Sequence, residues 1–305
     1  MRLSWVNIIM NKINRLFERT KDVFGYEWLR YPLDLDGEET LTFFKMVGLG
    51  PDAFKNKFVL DAGCGMGRYS RAVNKWVAKV VAFDVSRSVE RINDIIKTSY
   101  NICPLRANIM ALPFKDNIFD IVFSIGVLQH TPNPKEAFIN LSRLLKSGGT
   151  MCICVYARKP KSIRELKQTT LGKDKEILLG RIENIFFKKI IFQAYLKFRF
   201  LRSELTSLIR KITTRIPKGI LYIMALASVP KIGRFTLLNF IIPCSSHPDG
   251  RVRVIDTFDW YAAPCQSYFR EEELISWFKE AGFRSIQVSP HGFLPVSITI
   301  TGIKE

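Results

Sequence analysis

Three glycines at alternate positions, an aspartate and a histidine are the residues of this 305-residue chain whose types and spacing best suit chemistry. The run VLDAGCGMGRYS, residues 59–70, reads as strand, glycine-rich turn and helix, the context in which such a motif gains meaning. Gly63, Gly65 and Gly67 stand at every second position. Glycine there permits positive φ and lets a ligand come hard against the backbone. A dinucleotide fingerprint would place another glycine at position 68, where this chain has Arg68. The spacing therefore argues against a nicotinamide cofactor and for a ligand without a pyrophosphate; a plain tight turn is the alternative. Asp84 closes the next apolar run, 21 residues beyond Gly63. An α/β fold sets an acid at that place to accept both ribose hydroxyls. A helix cap is its other possible role, and Ser86 is equally placed to cap. His130 follows the fourth apolar run. An imidazole titrates near neutrality and suits removal of a proton from a substrate; the other reading is that it pins the loop before Thr131-Pro132.

The elements that must hold these residues follow from the texture of the chain. From Lys57 onward short apolar runs alternate with helical patterns: KFVLDA, a helix through Tyr69 to Trp76, KVVAFD, and a helix near Val89 to Ser99. ICPLRA, FDIVFSIG, a helix from Pro134 to Leu145 and TMCICVY after Gly148-Gly149 continue the series. Strands rich in Val, Ile and Phe on both faces belong to a parallel sheet covered by helices. The alternation predicts a doubly wound α/β fold with right-handed crossovers. After Tyr156 it stops. From Ile182 to Ile212 apolar residues recur at steps of three or four with Lys and Arg on the other faces, one amphipathic stripe. The core pattern resumes with REEELISWFKEAG, SIQVS and VSITITGI. The expected division is a helical lead-in over residues 1–55, a core made of 56–157 and 256–305, and a basic helical insertion at 158–255.

Composition bounds the partners. The formal net charge is +18, and between Tyr156 and Ile255 there are 21 Lys and Arg against 6 Asp and Glu, so about +15 of it lies in the insertion. A block of that kind points to an anionic partner, phospholipid headgroups or nucleic acid, or else is merely a solvated basic surface. The six cysteines show no CxxC pairing and the histidines number three. No metal site is expected, and the thiols read as reduced and cytosolic. The N-terminal segment reads as an amphipathic helix in place of a secretory signal, and no run is apolar and long enough to span a bilayer. The expected location is cytoplasmic, with peripheral contact at the inner face of the membrane.

Residues 107–156, ANIMALPFKDNIFDIVFSIGVLQHTPNPKEAFINLSRLLKSGGTMCICVY, add an LPF-x-x-x-x-FD stretch, an L-x-H turn and RLLKSGG before the fifth strand. With VLDAGCGMG and Asp84 they make the chain resemble the class I S-adenosylmethionine-dependent methyltransferases, in the branch related to the ubiquinone and menaquinone enzymes. The resemblance covers roughly residues 57–156. It implies a Rossmann-like, mostly parallel sheet of seven strands whose last strand is antiparallel, and S-adenosylmethionine as cofactor. It implies that Gly63, Cys64 and Gly65, with Asp61 beside them, line the methionine and ribose portion. By the same token Asp84 holds the ribose, Val85 lies against the adenine, Asn108 and Ile109 meet the adenine amino edge, and Ser124 and Gly126 close the floor below the sulfonium. Such enzymes usually have Asp where Asn108 stands, and an ionised acceptor makes the stronger bond. N-terminal helices of the family fold over the cofactor, so Tyr26 and Trp28 in FGYEWLRYP, and Tyr261 in FDWYAAPCQSYF, are expected at a lid or acceptor pocket.

Three functions compete at this level. The first is transfer of a methyl group to a small-molecule, lipid-linked or cell-envelope acceptor, with the basic amphipathic insertion at an anionic membrane. RNA methylation is the second, because the same basic block could follow phosphates. Against it, Phe and Ile recur at helical steps, which suits a buried or membrane face better than a base-stacking platform. A non-catalytic scaffold with this fold is the third; the intact glycine loop and Asp84 speak against it.

Overall fold

The computed structural model describes residues 2–31, 36–76, 79–95, 101–159, 161–165, 185–228, 244–245, 247, 249–291 and 297–305. The chain divides into two compact units, one of Met1–Ala157, Ala262–Ser289 and Ser297–Glu305, the other of Arg158–Tyr261 and Pro290–Val296.

The first unit is built on seven strands: β1 (Phe58–Ala62), β2 (Lys79–Asp84), β3 (Ile102–Arg106), β4 (Phe119–Ile125), β5 (Leu145–Tyr156), β6 (Phe283–His291) and β7 (Ser297–Lys304). They form one sheet in the order β3-β2-β1-β4-β5-β7-β6. β1 pairs in parallel with β2 and β4, and β4 with β5. β7 runs antiparallel to β5, from Thr150 opposite Ile303 to Tyr156 opposite Ser297. The order reverses between β1 and β4, and ligands of open α/β sheets bind outside the carboxyl ends of the strands at such a switch point. Gly63 and Gly126 leave the sheet there.

Side chains that alternate along β1 explain the two-sided cover. Leu60 faces Phe138 and Leu141 of α5 (Pro134–Ser142) together with Leu274 and Phe278 of α9 (Glu271–Glu280). Val59 belongs to the opposite layer with Phe43 and Val47 of α2 (Asp36–Val47) and Val73 of α3 (Arg68–Val73). Each large side chain fully buried in these layers is worth about 1.5–3 kcal/mol of transfer free energy, so both strand faces must be apolar for the sheet to hold two helical layers. α1 (Arg2–Trp28) precedes them.

Two local expectations differ. The helix expected near Val89 to Ser99 is a 3-10 turn over Arg87–Arg91 followed by a short α4 (Ile92–Ile95), and residues 96–100 lie outside the described residues. Ser86 heads that turn, its hydroxyl accepting from the Ser88 N–H. The helix expected up to Leu145 ends at Ser142, because Leu145 already pairs with Phe119 and β5 runs through Gly148-Gly149.

In the second unit, α6 (Ile185–Thr213) is helical as the periodicity predicts, and α7 (Lys218–Leu226) and α8 (Gly250–Ala262) follow. The expected stripe of α6 is not its buried face. Phe192 and Leu196 are buried, whereas Phe198, Leu201, Leu208 and Ile212 stand 44–62% exposed. Amphipathic spacing fixes which residues share a side, not whether anything packs on it. Ile182 lies outside the described residues.

Candidate active site

The loop after β1 is shaped by backbone bonds before any ligand is considered. The Phe83 carbonyl accepts from the N–H groups of both Gly63 and Cys64, at 2.8 and 2.9 Å. Gly63, Gly65 and Gly67 take φ of +82°, +57° and +84°, a region costly for any side chain. At Gly63 a Cβ would also stand 2.3 Å from Val127 Cγ2, so this glycine is required by packing against the turn after β4.

Asp84 braces the same loop. Its Oδ2 accepts from the Gly65 N–H at 2.9 Å and its Oδ1 from the Ser86 N–H at 2.7 Å. Ser86, not Asp84, caps the following turn. Burial raises the Asp84 carboxyl above the usual range, against the pull of its hydrogen bonds to Ser86 and Gly65. Asp61 lies deeper, its Oδ2 accepting from Ser70 Oγ at 2.6 Å. Desolvation first and the Asp84 charge in addition lift its carboxyl from 3.8 to about 7. The Cys64 thiol is pushed up by burial and then by both carboxylates. A cation beside the loop would favour the ionised form of both carboxyls.

α1 covers the cradle. The Trp28 indole carbons lie 3.0–3.2 Å from where a Cβ on Gly65 would be, and the last turn approaches the next strand end through Gly25 and Ser86. Arg91 fastens this end, one guanidinium nitrogen donating to the carbonyls of Trp28 and Tyr31 at 2.9 and 3.0 Å. Arg68, at the position a dinucleotide loop gives to glycine, reaches the Tyr31 ring, 5.3 Å from its centroid. Tyr26 stacks under Arg30 at 3.5 Å. Tyr261 is buried inside the second unit, where Thr213 Oγ1 donates to its carbonyl at 2.9 Å.

The remaining expected residues divide. Ile109 is buried and Gly126 exposed at the end of β4 with φ +75°. Ser124 is fully buried and donates to the Ala62 carbonyl at 3.0 Å, a bond that ties β4 to β1. Asn108 is exposed, and its Oδ1 accepts from the Met110 N–H, forming an Asx turn. The Val85 carbonyl accepts from Arg106.

His130 is 6% exposed. Its Nδ1 lies 2.7 Å from the Cys265 carbonyl, which can only accept, so the neutral ring carries its proton on Nδ1 and its lone pair on Nε2. Phe24 packs edge-on against the ring at 4.6 Å and Tyr156 at 5.3 Å. The segment 265–269 is stitched across: Ser267 N–H donates to the Gln129 carbonyl, Cys265 N–H to Thr20 Oγ1, and Phe269 N–H to the Tyr156 carbonyl. Sequence reasoning missed Phe24, Gln129, Tyr156, Gln266 and Tyr268 here. The aromatic run 24–32 was a signal for Phe24, and the run 258–269 for Gln266 and Tyr268.

Fold and site together define a Rossmann-like nucleoside-binding domain of the methyltransferase type. The sequence family described as a methyltransferase domain matches residues 60–153. An uncharacterised methyltransferase of Schizosaccharomyces pombe is 32% identical over 124 residues, 34% of this chain and 45% of that one. Cycloartenol-C-24-methyltransferase 1 of Oryza sativa subsp. japonica is 34% identical over 104 residues, 32% of this chain and 29% of that enzyme. A ubiquinone biosynthesis O-methyltransferase of Coxiella burnetii is 28% identical over 164 residues, 53% of this chain and 68% of that one. The chain thus spans less than half the length of the first two. These matches, with the sheet order above, make the core of the chain a class I S-adenosylmethionine-dependent methyltransferase domain. The cradle fits that cofactor by its own chemistry: two buried carboxylates, Asp61 and Asp84, suit a sulfonium and an ammonium, which favour their ionised forms.

Proposed function

We propose that this protein transfers a methyl group from S-adenosylmethionine to a small-molecule or lipid-linked acceptor at a membrane surface. The observation that carries the transfer is the glycine loop braced by Asp84 and set beside a buried histidine at the switch point. Asp84 would hold the ribose hydroxyls, and Asp61 would act on the cationic end electrostatically. When bound, the cofactor supplies a methyl group already activated on a sulfonium. The chain's part is mainly to align the acceptor with it and exclude water. For an acceptor that carries a proton, His130 Nε2 is the base, since the Cys265 carbonyl fixes its tautomer. Replacement by phenylalanine, His130→Phe, is expected to lower kcat about 10²–10⁴-fold while leaving S-adenosylhomocysteine affinity unchanged in calorimetric titration; an unchanged kcat removes the base.

The membrane setting is supported by the second unit, where Leu201, Leu208 and Ile212 of α6 and Ile220, Ile223 and Met224 of α7 are 53–67% exposed in a strongly basic stretch. Exposed aliphatics among cations suit an anionic lipid surface better than a phosphate track, which is read by aromatics and cations. No helix among the described residues is long and apolar enough to cross a membrane. Incubation with methyl-labelled cofactor and an extract split into lipid, RNA and soluble small molecules tests the acceptor. Label in lipid or small molecules supports the reading, label in RNA gives the function to the alternative, and no label with no cofactor binding leaves a scaffold.

A further inference from the structure

Gln129 is fully buried, yet neither its Oε1 nor its Nε2 has a hydrogen-bond partner among the described residues. A buried amide left in this state costs stability comparable to lost hydrogen bonds, so its retention asks for a reason. Its position supplies one. Gln129 sits in the short turn between Gly126 and His130, and its Nε2 lies 3.9 Å from the Cβ position of Gly126, at the carboxyl end of β4. On the neighbouring segment, which is joined to it by the 2.8 Å bond from Ser267 N–H to the Gln129 carbonyl, Gln266 repeats the pattern. Gln266 Oε1 accepts from Tyr268 Oη at 2.8 Å, and its Nε2 is buried without a partner. Two unmatched amides thus flank the proposed base, with Phe24, Tyr156 and Tyr268 supplying flat walls: Tyr156 and Tyr268 are 5.9 Å apart at a tilt of 30°.

Resting on the methyltransferase reading, we infer that Gln129, seconded by Gln266, selects the acceptor, and selects an uncharged planar group that both donates and accepts hydrogen bonds. The unmatched atoms are one acceptor and two donor groups. The described contacts beside them are Phe24 and Tyr156 against the His130 ring and Tyr268 against Tyr156 and Gln266, none of them cationic. A carboxylate or phosphate would be desolvated here without an Arg or Lys to receive it, whereas a carboxamide or hydroxyl on a flat ring satisfies both amides at no charge. Gln129 is here a specificity residue; proton removal stays with His130.

Benzamide and benzoate, equal in shape and differing in charge, are the probes, titrated by saturation-transfer NMR into the full-length protein with S-adenosylhomocysteine present. Benzamide is expected to bind and benzoate to bind at least about tenfold more weakly, the cost of one unmatched polar contact or more. Gln129→Met, an apolar replacement of similar length, is expected to raise the melting temperature of the ligand-free protein, to keep S-adenosylhomocysteine affinity, and to weaken benzamide about tenfold. Gln266→Met should weaken it less. Benzoate binding as well as benzamide overturns the inference, as does benzamide failing to bind wild type. So does a lower melting temperature with unchanged benzamide affinity, which makes Gln129 structural, or a loss of S-adenosylhomocysteine affinity, which assigns it to the cofactor. Failure of the wild-type protein to bind S-adenosylhomocysteine would remove the methyltransferase reading instead, and the two probes still decide the selectivity.

Discussion

At the scale of single residues, Asp61 is the group with the widest consequences. Its carboxyl holds a proton up to about pH 7 in the folded chain, against 3.8 ordinarily. The folded state binds that proton more tightly than the unfolded one, so the stabilisation is complete below about pH 4 and is lost as pH climbs through about 7. A cation in the cradle favours the ionised form. S-adenosylmethionine should therefore bind more tightly as pH rises from 6 to 8, with a proton released on binding that shows as a buffer-dependent calorimetric enthalpy. Asp61→Asn should flatten both the affinity profile and the fall in melting temperature between pH 4 and 7. An affinity indifferent to pH in the wild type would place Asp61 outside the cation's reach. Arg68 shows how local departures acquire sense only in three dimensions: as a missing glycine it excluded one cofactor, and in the fold it reaches the Tyr31 ring.

At the scale of elements, the last turn of α1 is fastened over Gly65 by the two carbonyl bonds from Arg91. A ligand resting on Gly65 must lift the Trp28 indole. Apparent affinity is then the intrinsic value reduced by the fraction of molecules with the helix released. Arg91→Ala, which removes the fastening without touching the ligand's polar groups, is expected to tighten S-adenosylhomocysteine binding several-fold, and Trp28 emission should change on titration in both proteins. Weaker binding in the variant would mean that Arg91 belongs to the site. The strands β1 to β5 were legible in the sequence because β-branched runs on a two-sided sheet leave a continuous apolar signature. The glycine loop and Asp84 were legible because their spacing reflects a fixed distance across two strand ends. Gln129 and Gln266 were not. An amide in a turn carries no periodic signal, and what singles these out is burial imposed by Thr20, Tyr156 and Cys265, brought together from three distant stretches of chain.

At the scale of the whole molecule, charge and exposed apolar surface are concentrated in the same stretch of chain, residues 158–255 for the charge and 190–226 for the surface. The sequence identified the stripe of α6 but not its fate. The helix buries Phe192 and Leu196 and leaves Leu208 and Ile212 outward. Surface positions tolerate charge at small cost to stability, typically within about 0.5 kcal/mol, so Leu208→Glu together with Ile223→Glu is a clean probe. Wild-type protein is expected to float with vesicles of phosphatidylglycerol and phosphatidylcholine, less so as salt is raised. The double variant should stay with the soluble fraction at an unchanged melting temperature. Equal flotation of both would return the basic stretch to the role of a solvated surface.

The pair of carboxylates beneath the glycine loop has a further bearing on how a catalytic cycle ends. On the reading proposed above, methyl donation would turn a sulfonium into a neutral thioether while the ammonium stays, so the spent nucleoside would offset the charge of Asp61 and Asp84 less, and their desolvation would weigh against retaining it. Such a pocket expels its by-product electrostatically, and would do so more strongly in alkaline than in acidic solution.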